Sequence, residues 1–342
     1  MLVRSQTIRH PSGIKFETPL LIPSFSSKGF KIDKINDNEI WSEVGGLLDF
    51  CSYRLNDALL ISAYDVYYKV IPKPEDFPAK PEIIFVDSGG YETSDDFDID
   101  EVNKYNAKVL PWNRDKLKEI NDLWSDEIYS TIFVSYDCKK ERIPLEKQIE
   151  SAKINMARYP KQLHDFLIKP ETSTSKYIAD VLKKIIGDPT MLEGFHIIGV
   201  TEKELGKCVL DRMVNITKLR NALDTAKITA PIHVFGSLDP LSSPLYYLAG
   251  AEIFDGLSWL RYGYHNGVTT NIFNYSAPEV NIHDSEEHIL GRTFLDNLSF
   301  LKELELQMKD YARSLDFSKF RFNANVFEKC YGRLLTKLGV KE

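Results

Sequence analysis

The sequence predicts an α/β protein, a (β/α)8 TIM barrel with extra C-terminal helices, on three observations. Eight short apolar runs recur along the chain, and most are nearly continuous rather than alternating, as strands buried on both faces are. Longer amphipathic stretches separate them, which implies parallel strands joined by helical crossovers. Eight such units within about 240 residues suit a closed barrel. The rival, an open doubly wound sheet, calls for a GxGxxG turn after the first strand, and LLIPSFSSKG (20–29) has none.

The strands are expected at LLIPSF (20–25), ALLISAY (58–64), EIIFVDS (82–88) and STIFVSYD (130–137). DFLIKP (165–170), GFHIIGV (194–200), IHVFGS (232–237) and EIFDGL (252–257) complete the eight. Residues 115–124, 145–159, 174–187 and 208–226 carry apolar side chains at helical spacing between them. Residues 285–315 read as one or two further amphipathic helices, and 320–339 as a short last one. The division this suggests is a catalytic barrel over 1–315 and a C-terminal helical extension over 316–342 packed on it.

Composition bounds the function. No run of ~18 apolar residues exists, so no membrane span is expected. The N-terminus, MLVRSQTIRHPSG, lacks an apolar secretory core, which makes the cytoplasm the expected location. Cys51, Cys138, Cys208 and Cys330 stand far apart without a CxxC pair, so they are expected to be reduced, mostly buried thiols. The net charge of −7 offers little general attraction for phosphates; local patches such as KKERIPLEK (139–147) would have to supply it, and otherwise read as solvated faces.

In this fold the C-terminal ends of the strands carry the chemistry. Among them, Asp87 before Ser88-Gly89-Gly90 and Asp255 before Gly256 each stand where an apolar run stops. Each can be a capping residue of a βα loop. Together, facing one pocket, two carboxylates can divide nucleophilic and acid/base roles as in glycosyl transfer. Asp137, Lys169, Gly199-Val200 and Gly236 follow the other strands.

The segments FVDSGGYE (85–92), FVSYD (133–137), FHIIGVTEKELG (195–206), VFGSLDP (234–240), IFDGLSWLR (253–261) and LDNLSFLKELELQMKDY (295–311) occur in one order along the chain. In that order they resemble the FxDSGGFQ segment, the base-reading strand, and the AIGGLxxGE, MGVGxP, FDCVxPTR and HNLxFYLxLMxxIR segments of the tRNA-guanine transglycosylase superfamily. The resemblance spans residues 15–312. It implies base exchange in nucleic acid: Asp255 attacks C1′ and expels guanine, and a 7-deazaguanine base enters with Asp87 as general base. It further implies that Ser88, Asp137 and the Gly199–Val200 backbone hydrogen-bond the base. Tyr91 and Phe235 would stack on it, and Gly89, Gly90 and Gly236 would let the backbone come close. Arg261 would bind phosphate or orient Asp255. No cofactor is implied.

The chain departs from that family. The CxCxxC…His zinc motif is missing, and the two histidines of the corresponding region, His283 and His288, do not make a zinc site, so no metal is expected. That zinc subdomain supports the family's dimer and its tRNA binding, so a homodimer here would have to form without it. Lys169 stands where a base-reading glutamine is expected; a lysine only donates, which suits a carbonyl oxygen or a phosphate. Glu92 replaces another glutamine. The acceptor is either tRNA or DNA, since one branch of the superfamily modifies DNA. Two other classes remain: a non-catalytic tRNA-binding subunit, which both aspartates argue against, and an unrelated barrel enzyme acting on small molecules.

Overall fold

The computed structural model describes residues 2–34, 40–94, 108–125 and 129–340. Eight parallel strands close into a barrel: β1 (Leu20–Phe25), β2 (Ala58–Ser62), β3 (Ile83–Asp87), β4 (Ser130–Val134), β5 (Leu163–Ile168), β6 (Ile197–Thr201), β7 (Ile232–Phe235) and β8 (Ile253–Gly256). Each strand pairs with the next in sequence, and β8 returns to β1 through pairs such as Asp255 with Ile22. The predicted (β/α)8 class is the observed one. Several strands are shorter than their apolar runs, because their last residues already turn outward into the loops; β4 stops at Val134, three residues before Asp137.

The period of two sorts the side chains into two cores. Leu20, Ile22, Leu60, Ile83, Phe85, Ile132, Leu163, Leu167, Ile197 and Ile253 fill the barrel interior. Their neighbours, among them Leu21, Leu59, Ile84, Phe133, Phe166, Ile198, Val234 and Phe254, join the larger core beneath the helices. A hairpin of Thr7–Arg9 and Lys15–Glu17 covers the N-terminal end, inserting Phe16 into the interior, while His10 Nε2 sits 3.0 Å from the Thr131 carbonyl.

The helices are α1 (Glu43–Cys51), α2 (Ala63–Tyr67), α3 (Arg114–Trp124), α4 (Leu145–Arg158), α5 (Ala179–Gly187) and α6 (Glu202–Leu205). α7 (Val209–Thr225), α8 (Ser242–Leu248), α9 (Ser258–Arg261), α10 (Ile272–Glu279), α11 (Glu286–Ser314) and α12 (Ala324–Lys337) follow. Residues 285–315 form a single long helix: Ser285 caps it by accepting from the His288 amide, Glu286 and Glu287 suit its positive end, and Leu315 terminates it in a left-handed conformation. α12 packs against α7 and α8. No helix among the described residues is long and apolar enough to cross a membrane.

Two expectations need correction. Only Cys51 of the four cysteines is buried, and Cys208 is exposed; Cys208 immediately precedes α7 and opens to solvent as an N-cap. The segment 139–147 is not wholly a solvated face: Arg142 turns inward, with its side chain 8% exposed, because two carboxylates await it.

α11 also fixes the barrel end that matters. Asn297 Nδ2 donates to the carbonyls of Trp259 and Tyr262 at 2.7 Å each, and its Oδ1 accepts from the Tyr264 amide. Trp259 Nε1 in turn donates to the Ser24 carbonyl at 3.2 Å, and its ring meets Phe25 edge-on. The loop after β8 is thus held to the end of β1.

Candidate active site

Alternation turns a set of polar residues into the barrel: Ser24 of β1, Asp87 of β3 and Asp255 of β8 toward its C-terminal end, and Asp165 of β5 and His233 of β7 one layer below. Asp255 is buried and fully engaged. Its Oδ2 accepts from Ser24 Oγ at 2.7 Å, and its Oδ1 lies 3.2 Å from both His233 Nε2 and the Gly236 amide. Gly236 reaches that position with φ of +78°, where a side chain would be strained.

His233 is completely buried and bridges two acids. Its Nδ1 sits 2.7 Å from Asp165 Oδ2. Burial alone would strip its second proton, but the hydrogen bonds and charges of Asp165 and Asp255 outweigh that and raise its pKa to about 9. It is therefore an imidazolium at neutral pH. Burial raises the Asp165 carboxyl, against the lowering contact with His233. Phe235 stacks on His233 with ring centroids 3.8 Å apart.

Asp87 is half-buried, and burial together with the charges of Glu92 and Asp255 raises its pKa to about 7. The two predicted carboxylates thus share one electrostatic environment, and Asp87 titrates where a proton donor and acceptor is useful. Glu92 is buried and accepts from Ser26 Oγ. Ser88 is buried with its hydroxyl unpartnered, while its carbonyl accepts from Trp112 Nε1 at 2.8 Å. Ser88 is thus a buried hydroxyl beside Asp87 with its hydrogen-bonding capacity unused.

The remaining predicted residues have other surroundings. Gly89 and Gly90 make room for protein rather than ligand: a Cβ on Gly89 would lie 2.9 Å from Trp112, and one on Gly90 2.6 Å from the Asp137 carbonyl. Asp137 and Lys169 belong to a buried four-charge network. Lys169 Nζ is 3.1 Å from both Asp137 and Glu204 and 2.6 Å from Thr201 Oγ1, and Arg142 also binds Asp137 and, at 3.3 Å, Glu204. Burial lowers the Lys169 pKa, but the two carboxylates outweigh it and leave it raised.

Three expected roles are corrected. Gly199 and Val200 lie inside β6 with ladder partners on both sides, so their backbone groups are engaged in the sheet and the Val200 side chain joins the outer core. Gly199 serves instead as a gap: a Cβ there would lie 2.7 Å from both Asp165 Oδ1 and the Phe235 ring. Arg261 does not orient Asp255. Its donors go to the Lys28 carbonyl at 3.0 Å and the Tyr91 hydroxyl at 3.3 Å, while Ser24, His233 and Gly236 hold the carboxylate. Tyr91 itself is half-buried with the Lys28 ammonium 4.3 Å from its ring centroid.

Sequence reading missed Ser24, Asp165, His233, Arg142 and Glu204 as site residues. The signal was present for three of them. Ser24, Asp165 and His233 each occupy the inward phase of an otherwise apolar strand, where a polar residue requires a partner.

No family model and no curated protein matches the chain. What the molecule itself defines is a (β/α)8 barrel with a buried Asp165–His233–Asp255 chain and a further carboxyl, Asp87, of raised pKa.

Proposed function

We propose that the protein is a base-exchange glycosyltransferase that replaces guanine in nucleic acid by a 7-deazaguanine. The observation that carries this reading is the contrast between two inward carboxyls at one barrel end. Asp255 is clamped by three donors, which hold its carboxyl group in one orientation, as an in-line attack requires. Asp87 is pushed to about 7 and so exists in both protonation states at neutral pH.

In this reading an Asp255 oxygen bonds to C1′ as the bond from C1′ to the guanine ring nitrogen breaks. The departing nitrogen takes the Asp87 proton. The entering 7-deazaguanine then gives its ring proton to Asp87 and its nitrogen displaces Asp255 from C1′, regenerating both groups. His233 holds positive charge next to Asp255 throughout, and Ser24 and the Gly236 amide fix the carboxylate's orientation. Ser88 offers its unpartnered hydroxyl to the base. The target base must leave any stack to reach the barrel mouth.

The test is incubation with labelled guanine and, separately, tRNA and duplex DNA. Label entering one polymer supports exchange and names the acceptor; label entering neither, with folded protein, contradicts it.

A further inference from the structure

A cavity of about 210 Å3 opens between α3 and α4, over the ends of β4 and β5. Its lining reaches Asp137 and Lys169 but does not include Asp87 or Asp255, so it adjoins the candidate active site without being part of it. Five cationic side chains line it against three acidic ones, in a chain whose net charge is −7. Arg142 is buried within the ion network, and Arg114 lies 4.4 Å above the Tyr136 ring centroid and donates to Ser151 Oγ at 2.5 Å. Arg158 stands exposed at the rim.

The decisive residue is Asn121. It lines the cavity, is 1% exposed, and neither its amide nitrogen nor its amide oxygen has a hydrogen-bond partner. A buried amide left so is costly, and a ligand edge bearing one donor and one acceptor would satisfy it. Its place on α3 one turn beyond Leu117 is shared by Lys118 and Arg114 on the same face of the helix.

The geometry points to a nucleotide-binding subsite: a planar base edge paired with Asn121, and a phosphate held by the guanidinium groups at the rim. The volume lies below the ~300–1,000 Å3 of sites that enclose a whole drug-sized ligand, so the cavity takes the base while the sugar and phosphate stay at the rim. The unit is either a free mononucleotide or the neighbour of the exchanged nucleotide in a polymer. Only the second source rests on the base-exchange reading.

Calorimetric titration of the full chain with guanosine 5′-monophosphate, with a five-nucleotide single strand and with inorganic phosphate tests this. Asp255→Asn is the background, so that binding is read without turnover. Asn121→Leu and, independently, Arg158→Glu are expected to weaken binding of one nucleic-acid probe about tenfold or more. The exposed Arg158 keeps the test valid if Asn121→Leu fails to fold. Weakened monophosphate binding assigns a free mononucleotide; weakened strand binding alone assigns a polymer neighbour. Equal affinity for inorganic phosphate and the monophosphate, or insensitivity of both probes to both substitutions, overturns the subsite whether or not the protein exchanges bases.

Discussion

His233 Nε2 lies 3.2 Å from Asp255 Oδ1, and the other ring nitrogen lies 2.7 Å from Asp165, so the β8 carboxylate is the end of a buried chain of charges running through β7 to β5. No single motif carries this chain of charges. The chain exists because three residues on nearby strands share the inward phase, and because Gly199, between β5 and β7, has no side chain to block it.

His233→Gln is expected to lower base exchange by about 10²-fold, as removal of a preorganised charged donor does. It also has a pH signature. A histidine whose pKa is raised to about 9 in the fold stabilises the native state fully below about 6.5, and that stability is lost as pH rises toward 9. Urea midpoints measured at pH 6 and pH 9 should therefore converge in His233→Gln relative to the wild type. An unchanged pH dependence would place the imidazolium assignment in error.

Asp87 behaves in the opposite sense. Its carboxyl is raised from the ordinary range to about 7 by burial and by Glu92 and Asp255, so native stability falls as pH rises from about 4 through 7. Asp87→Asn should unfold at a higher temperature than the wild type at pH 8 while losing exchange. The wild-type rate of base entry should rise with pH with an apparent pKa near 7. A flat rate between pH 6 and 8 would remove Asp87 from proton transfer.

Lys169→Gln should alter base preference, as the sequence departure suggests, and the ion network adds a second expectation. The substitution leaves Asp137 and Glu204 sharing Arg142 alone, and breaking such a buried pair costs on the order of 3 kcal/mol. Chemical denaturation of Lys169→Gln and Lys169→Met separates the two effects. A stability change under about 0.5 kcal/mol in both would mean that the network is solvated and weak.

Gly199→Ala introduces a Cβ 2.7 Å from Asp165 Oδ1 and from the Phe235 ring. Both neighbours touch His233, so the variant should lose activity beyond the ~1–3 kcal/mol of overpacking it suffers in stability. Full activity in a destabilised Gly199→Ala would show that the histidine chain tolerates displacement.

The barrel was legible in the sequence because strands buried on both faces leave continuous apolar runs, and all eight were found where LLIPSF and its counterparts stand. Asp87 and Asp255 were legible because each closes such a run. The partners of Asp255 were assigned wrongly: Arg261 is near in sequence, but the short α9 carries it toward Lys28 and Tyr91. Asp137 and Lys169 were read as groups facing the base, and their pairing with each other, Arg142 and Glu204 was not legible. Ion pairing across strands depends on barrel register, and Arg142 and Glu204 come from a loop and a short helix that no periodicity fixes.

Base exchange by this route requires a covalent bond between Asp255 and the sugar. Intact-mass analysis of the protein quenched in denaturant during reaction with its acceptor nucleic acid measures this most directly. The wild type is expected to carry an adduct of the guanine-depleted strand, mapped by proteolysis to the peptide containing Asp255, and Asp255→Asn, with unchanged secondary structure, to carry none. An adduct that persists in Asp255→Asn, or exchange that proceeds undiminished in that variant, would contradict this route.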